Sequence, residues 1–108
     1  MIGHGYSSDA FQAILGDGEV AGREDLGIAF PREGFTVACE ELAIMSTSRE
    51  VELAYAFIDF LYEPMNCKKN MEYILALTPN IEAEEELDDK LRTILTLDPE
   101  TLKRGQVI

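Results

Sequence analysis

The clearest pattern in the chain lies between residues 51 and 62. Val51, Ala54, Tyr55, Ile58, Leu61 and Tyr62 recur at i, i+3, i+4 and i+7 spacing, and Phe57 and Phe60 widen the stripe. Apolar positions repeating with the period of an α-helix predict a core-facing amphipathic helix. Thr47-Ser48-Arg49-Glu50 ahead of it reads as a capping box, in which the threonine oxygen and the glutamate satisfy each other's backbone donors. Glu63-Pro64 ends this helix and opens another, because proline fits a first helical turn. The second helix is expected to run to about Leu75, with Cys67, Met71 and Ile74 on one face. Thr78-Pro79-Asn80 breaks the chain again. Residues 82–90 hold six acids and one lysine, and predict a polar helix leading into Leu91, Ile94 and Leu95. Asp98-Pro99-Glu100 opens a last short turn through Lys103, which Gly105 closes.

The first half of the chain changes period. Met1 to Asp9 is rich in glycine and serine and reads as a short strand running into a loop. Asp9 or Ser8 is expected to cap a helix from Ala10 to Leu15, since a short side-chain oxygen satisfies orphan N–H groups. Gly16-Asp17-Gly18 ends it as a turn. Gly27–Phe30, Phe35–Cys39 and Leu42–Met45 are β-prone runs, the last two separated by the acid pair Glu40-Glu41. Short β-prone runs in the first half thus give way to helices in the second.

Charge narrows the partners. Among 108 residues, 21 Asp and Glu face nine Lys and Arg, a formal charge of −12. Nucleic-acid binding needs a basic footprint, which this chain lacks. Adsorption to an anionic membrane is disfavoured for the same reason, whereas cations are attracted. No apolar run has the length of a spanning helix, and no segment here reads as a signal peptide. Cys39 and Cys67 form no CxxC and have no histidine at ligand spacing, so no zinc site is expected. The two cysteines are compatible with a disulfide or with free buried thiols.

The residues for catalysis are thin. A nucleophile needs a base within hydrogen-bond reach, and the sole histidine, His4, stands near Ser7 and Ser8 with no GxSxG elbow around it. Neither a dinucleotide fingerprint nor a P-loop is present. No catalytic residue, no metal ligand and no cofactor is expected. Aromatics beside acids suggest other chemistry: an organic ammonium is held by aromatic faces and by charge-assisted hydrogen bonds to carboxylates. Tyr6 and Asp9 stand at a strand-to-helix junction, and Glu40-Glu41 interrupts an apolar run.

The order of these pieces resembles the spermidine/putrescine-binding proteins, the substrate-binding subunits of polyamine ABC importers. Gly5-Tyr6-Ser7-Ser8-Asp9-Ala10 is similar to that family's aromatic–small–Gly–Asp/Ser–Ala strand end, and Ala29-Phe30-Pro31-Arg32-Glu33-Gly34 to its VPKEG passage. The run from Phe35 through Glu40 to Ile44 resembles the strand that carries a tryptophan and an aspartate two residues apart. Residues 52–64, then Tyr73-Ile74 and Thr78-Pro79-Asn80, resemble its A–FI–F–L–PE … Y–TPN block, and residues 100–105 its next turn. The likeness covers nearly the whole chain, and the family's proteins are about three times longer.

What the resemblance implies is a fragment, the C-terminal part, of a two-lobed α/β, periplasmic-binding-protein-like Venus-flytrap fold with the ligand between its lobes, the fragment being helix-rich in its second half. Residues 1–36 would then be a strand-helix-strand portion of the second lobe. Residues 37–81 would hold a hinge-crossing strand and helices packing on the first lobe, and 82–108 an acidic helical segment. The implied function is the substrate-binding component of an ABC importer for polyamines or a related organic cation, without enzymatic activity and located in the periplasm or otherwise outside the cytoplasm. Tyr6, Ser7, Asp9 and Glu40 would face the ligand, and an ABC permease would receive it. Ala38 stands where the family has tryptophan and Ala76 where it commonly has tyrosine, so two aromatic walls are absent. The face at 51–62 would be covered by the missing N-terminal part or by self-association. The alternative reading is a free-standing acidic protein–protein interaction module using that same helix face.

Overall fold

The computed structural model describes residues 2–108, and its elements run α1 (Ser7–Leu15), β1 (Phe35–Val37), α2 (Val51–Tyr62), α3 (Pro64–Ile74), α4 (Ile81–Glu85), α5 (Asp89–Leu95), α6 (Pro99–Leu102) and β2 (Gly105–Val107). It is an α/β arrangement dominated by helices, with most of the helix in the second half, as the sequence pattern predicts. No helix among the described residues is long and apolar enough to cross a membrane.

The core is small. Phe11 of α1, Cys67, Met71 and Leu75 along α3 and its end, Ala83 and Leu87 around α4, and Leu95 of α5 are buried together, with Leu15, Ile28, Leu91 and Ile94 packed against them. On α3 the buried set follows strict i, i+4, i+8 spacing at 67, 71 and 75, the positions that stack on one helical face. Ile74, expected on that face, is instead exposed. Leu75 takes its place by leaving the helix at φ +54°, a left-handed conformation that turns its side chain back into the core while its N–H still bonds Met71 O.

Helix junctions explain how α2, α3 and α4 hold together. Glu63 precedes a proline, which bars it from the helical region, and its extended backbone (ψ 134°) separates α2 from α3. The last carbonyls of a helix have no partner within it. Here three successive ones are met by side chains: Asn66 Nδ2 donates to Phe60 O (2.7 Å), Cys67 Sγ to Leu61 O (3.1 Å) and Asn80 Nδ2 to Tyr62 O (2.7 Å). Both cysteines are free; Cys67 is buried and Cys39 exposed.

Several expected boundaries move. Residues 2–6 form no strand, Met1 lies outside the described residues, and α1 begins at Ser7 rather than Ala10, with Tyr6 as its uncapped N-cap. Gly27–Phe30 and Leu42–Met45 are not strands. Strands persist only where their backbone groups find a ladder partner, and only Phe35–Val37 has one. The capping box does not form: the N-cap of α2 is Glu50 with no side-chain bond, and Ser48 Oγ accepts from Glu50 N at 3.3 Å. The acidic stretch at 82–90 is two helices, because Asn80 and Asp88 each accept from a backbone N–H and start a new one (Ala83 N, 3.1 Å; Leu91 N, 2.9 Å).

Gly105 does not merely close a turn. It opens β2, which pairs in parallel with β1 in the register Phe35↔Gly105, Thr36↔Gln106 and Val37↔Val107. A Cβ at Gly105 would stand 2.6 Å from Val37 Cγ2 and 3.1 Å from Leu102 O, so only glycine permits this approach. Arg104 reinforces the join by donating to Pro31 O (3.1 Å), and the Phe30 and Phe35 rings lie 4.9 Å apart beside it.

Candidate functional site

Tyr6, Ser7 and Asp9 are brought together at the start of α1. Tyr6 is extended (φ −74°, ψ 147°), and the helix turns beneath it, with Ala10 N donating to Tyr6 O at 3.2 Å. Tyr6 is 74% exposed, so its ring faces are available. Ser7 and Asp9 are also exposed. Asp9 lies in the first turn, where a carboxylate complements the positive end of the helix dipole.

Asp9 opens onto a shallow groove of about 460 Å³, shared with Ser8 and Gln12 of α1, Asp17 and Glu19 of the following turn, and Tyr73 near the end of α3. The turn is rigid. Asp17 Oδ1 accepts from Glu19 N (3.0 Å) and Val20 N (2.7 Å), and these bonds, Val20's first, hold its carboxyl below the ordinary 3.8. Gly16 (φ +81°) makes the turn possible, since a Cβ there would stand 2.4 Å from Val20 O. Three acids and a phenol ring around one groove provide the carboxylate acceptors and the aromatic face that an organic ammonium requires.

Glu40 is elsewhere. It is exposed on the irregular segment that leaves β1, and, like Tyr6 and Ser7, it does not line the groove that holds Asp9. The four expected residues thus form two groups: Tyr6, Ser7 and Asp9 at one helix start, and Glu40 three residues beyond the β1–β2 ladder. Asp17, Glu19 and Tyr73 were not anticipated as neighbours of Asp9. The Asp17-Gly18 turn signal placed a bend there, but only the packing of α1 beside α3 brings Tyr73 to it. Among the described residues no group of three or more His, Cys, Asp or Glu is arranged to hold a metal.

Over 107 residues the chain is 34% identical to a putrescine/cadaverine-binding protein of Pseudomonas aeruginosa; the match takes in 98% of the chain and 30% of that protein. The chain therefore spans about a third of the length of this relative. No protein-family profile matches it, and no solved structure does so significantly. The likeness read from the residues runs the length of the chain, and the sequence is related to the polyamine-binding proteins.

Proposed function

We propose that the chain is the C-terminal part of a two-lobed extracytoplasmic solute-binding protein that captures a polyamine or a related organic cation and delivers it to an ABC permease. The observation that carries this reading is the 34% identity maintained over 107 residues with a putrescine/cadaverine-binding protein, which favours it over a free-standing interaction module. In this reading residues 1–36 belong to the second lobe, residues 37–81 cross the hinge and pack on the first, and 82–108 complete the piece.

In this reading the ligand carries an ammonium at each end. Asp9 and Tyr6 hold one end, by a charge-assisted hydrogen bond and a cation–π contact, and Ser7 offers a hydroxyl. Glu40, carried by a different segment, takes the other. A cation bridging the two segments stabilises only the closed arrangement, and its differential affinity for that state is what drives closure. Binding then signals occupancy to a permease without any chemical step.

Titration calorimetry with putrescine, cadaverine and spermidine, on the protein carrying both lobes, tests the assignment. Glu40→Gln removes a charge-assisted bond and is expected to weaken binding by about 10- to 150-fold. Glu41→Gln, on the neighbouring position, is expected to leave affinity nearly unchanged. If Glu41→Gln is the damaging change, the facing of this segment is off by one residue. If neither matters, the cation does not sit against residue 40.

A further inference from the structure

The least satisfied element in the fold is α2, and its lack is two-sided. At 100° per residue, Ala54, Ile58 and Leu61 fall on the side that meets α3, and all three are half-buried. Val51, Tyr55 and Tyr62 fall on one flank of that side; Leu53, Phe57 and Phe60 fall on the other. All six are exposed, Tyr55 and Phe57 by 56% and 57%. The polar stripe is limited to Glu52 and Asp59, and α2 has no buried residue. A surface helix carries one apolar stripe, whereas a helix apolar on nearly every side is an interior element.

The surface area agrees. The chain exposes 9129 Å², where a compact protein of its mass exposes about 6,000 Å². Its radius of gyration is 16.2 Å, against about 13 Å for a compact chain of this length. The excess of about 3,000 Å² is several times what one partner contributes to an ordinary interface, about 800 Å². A second copy is a poor cover, because each copy carries −12 and pairing brings like charges together. The relative supplies an alternative: some 70% of its length lies outside the match.

We infer that α2 is a central helix of the complete protein, flanked on both sides by apolar surface from the polypeptide that the relative carries beyond the matched segment, with only the Glu52–Asp59 stripe left facing water. This rests on the proposed reading for the length of that polypeptide, and not on the identity of any ligand.

The test grafts this chain into the Pseudomonas relative in place of its matched segment, in a Cys39→Ser background. Tyr55→Cys, Phe57→Cys and Asp59→Cys are then introduced singly, and labelling by a thiol reagent is timed in the graft and in the 108-residue chain alone. Tyr55→Cys and Phe57→Cys are expected to react about tenfold or more slowly in the graft than in the free chain, and Asp59→Cys at a similar rate in both, because access limits thiol reactivity. Protection of one flank only overturns the two-sided placement. Equal labelling of all three in the graft, or a graft that shows no cooperative unfolding, overturns the inference outright. So does a free chain that sediments as a dimer with both flanks already protected. Putrescine titration of the same graft reads separately: protected flanks without binding leave α2 as inferred and refute the ligand assignment.

Discussion

Asn80 uses both ends of its amide. Its Oδ1 accepts from Ala83 N at 3.1 Å and starts α4, while its Nδ2 donates to Tyr62 O at 2.7 Å and closes the end of α2. Replacing it by alanine removes both. An N-cap oxygen contributes about 1 kcal/mol, and a hydrogen bond of this partly solvated kind about 0.5–1 kcal/mol, so Asn80→Ala is expected to cost about 1.5–2 kcal/mol. Asn80→Ser keeps a capping oxygen but is too short to reach across to Tyr62, and is expected to lose only the second contribution. The cost is felt beyond the loop, because Ala83, whose N–H the cap fixes, is fully buried in the core. Urea denaturation followed by far-UV circular dichroism measures both variants. If Asn80→Ser destabilises as much as Asn80→Ala, the oxygen is not capping α4. If Asn80→Ala shifts nothing, neither bond persists in solution and the junction between α2 and α4 is held by apolar contacts alone.

Other expectations follow from burial and from charge. Met71→Ala, at a side chain with no exposure, is expected to cost about 2–5 kcal/mol in the same denaturation assay, the range for a core truncation, whereas Met65→Ala on the exposed side of α3 should fall within about 0.5 kcal/mol. Thr47→Ala is expected to be equally mild by that measurement, because α2 starts four residues later with no side-chain cap; a loss of about 1 kcal/mol would restore the capping box. Cys39 should react promptly with a thiol reagent and Cys67 only on unfolding, and a second fast thiol would contradict the bond to Leu61 O. Asp17 and Asp98 accept N–H bonds that hold their carboxyls below the ordinary 3.8; Asp98 owes this to Thr101 first, through its side chain and then its backbone. Their folded values lie under their unfolded ones, so the stability they contribute is present above the unfolded value and is lost as pH falls through the folded one. Asp17→Asn and Asp98→Asn together should therefore flatten the acid side of a pH–denaturation profile below about pH 4, and an unchanged profile would refute the linkage.

What the sequence made legible was mostly local. The α2 and α3 segments, the break at Glu63-Pro64, the turn at Gly16-Asp17-Gly18 and the stop at Thr78-Pro79-Asn80 all rest on interactions within a few residues, and they stand where the pattern puts them. Strand pairing is non-local, and there the pattern failed in both directions. Gly27–Phe30 and Leu42–Met45 have β-prone side chains but no ladder partner, and Gly105–Val107 has no β-prone pattern but finds β1. The Thr47 box failed because matching residue types at the right spacing do not compel the helix to begin there. For the site, Tyr6, Ser7 and Asp9 were legible as a helix start, while Asp17, Glu19 and Tyr73 joined Asp9 only through tertiary packing. Glu40 was singled out as an acid inside an apolar run, yet it sits on exposed irregular backbone, where burial no longer argues for it.

The pairing of β1 with β2 has a kinetic consequence. It ties residue 35 to residue 105 and residue 37 to residue 107, so every helix from α2 to α6 lies inside one closed loop. Closing a loop of that length costs chain entropy before the contacts at its neck return anything, and three ladder positions return little. The helices are therefore expected to form first and the strand pair last. Glu40 stands just past the neck, and Ile108 N donates to Val37 O at 3.2 Å there. The carboxylate proposed to meet the cation is thus expected to be the last to take up its place on folding, and the first to lose it if the segment at 105–108 works loose.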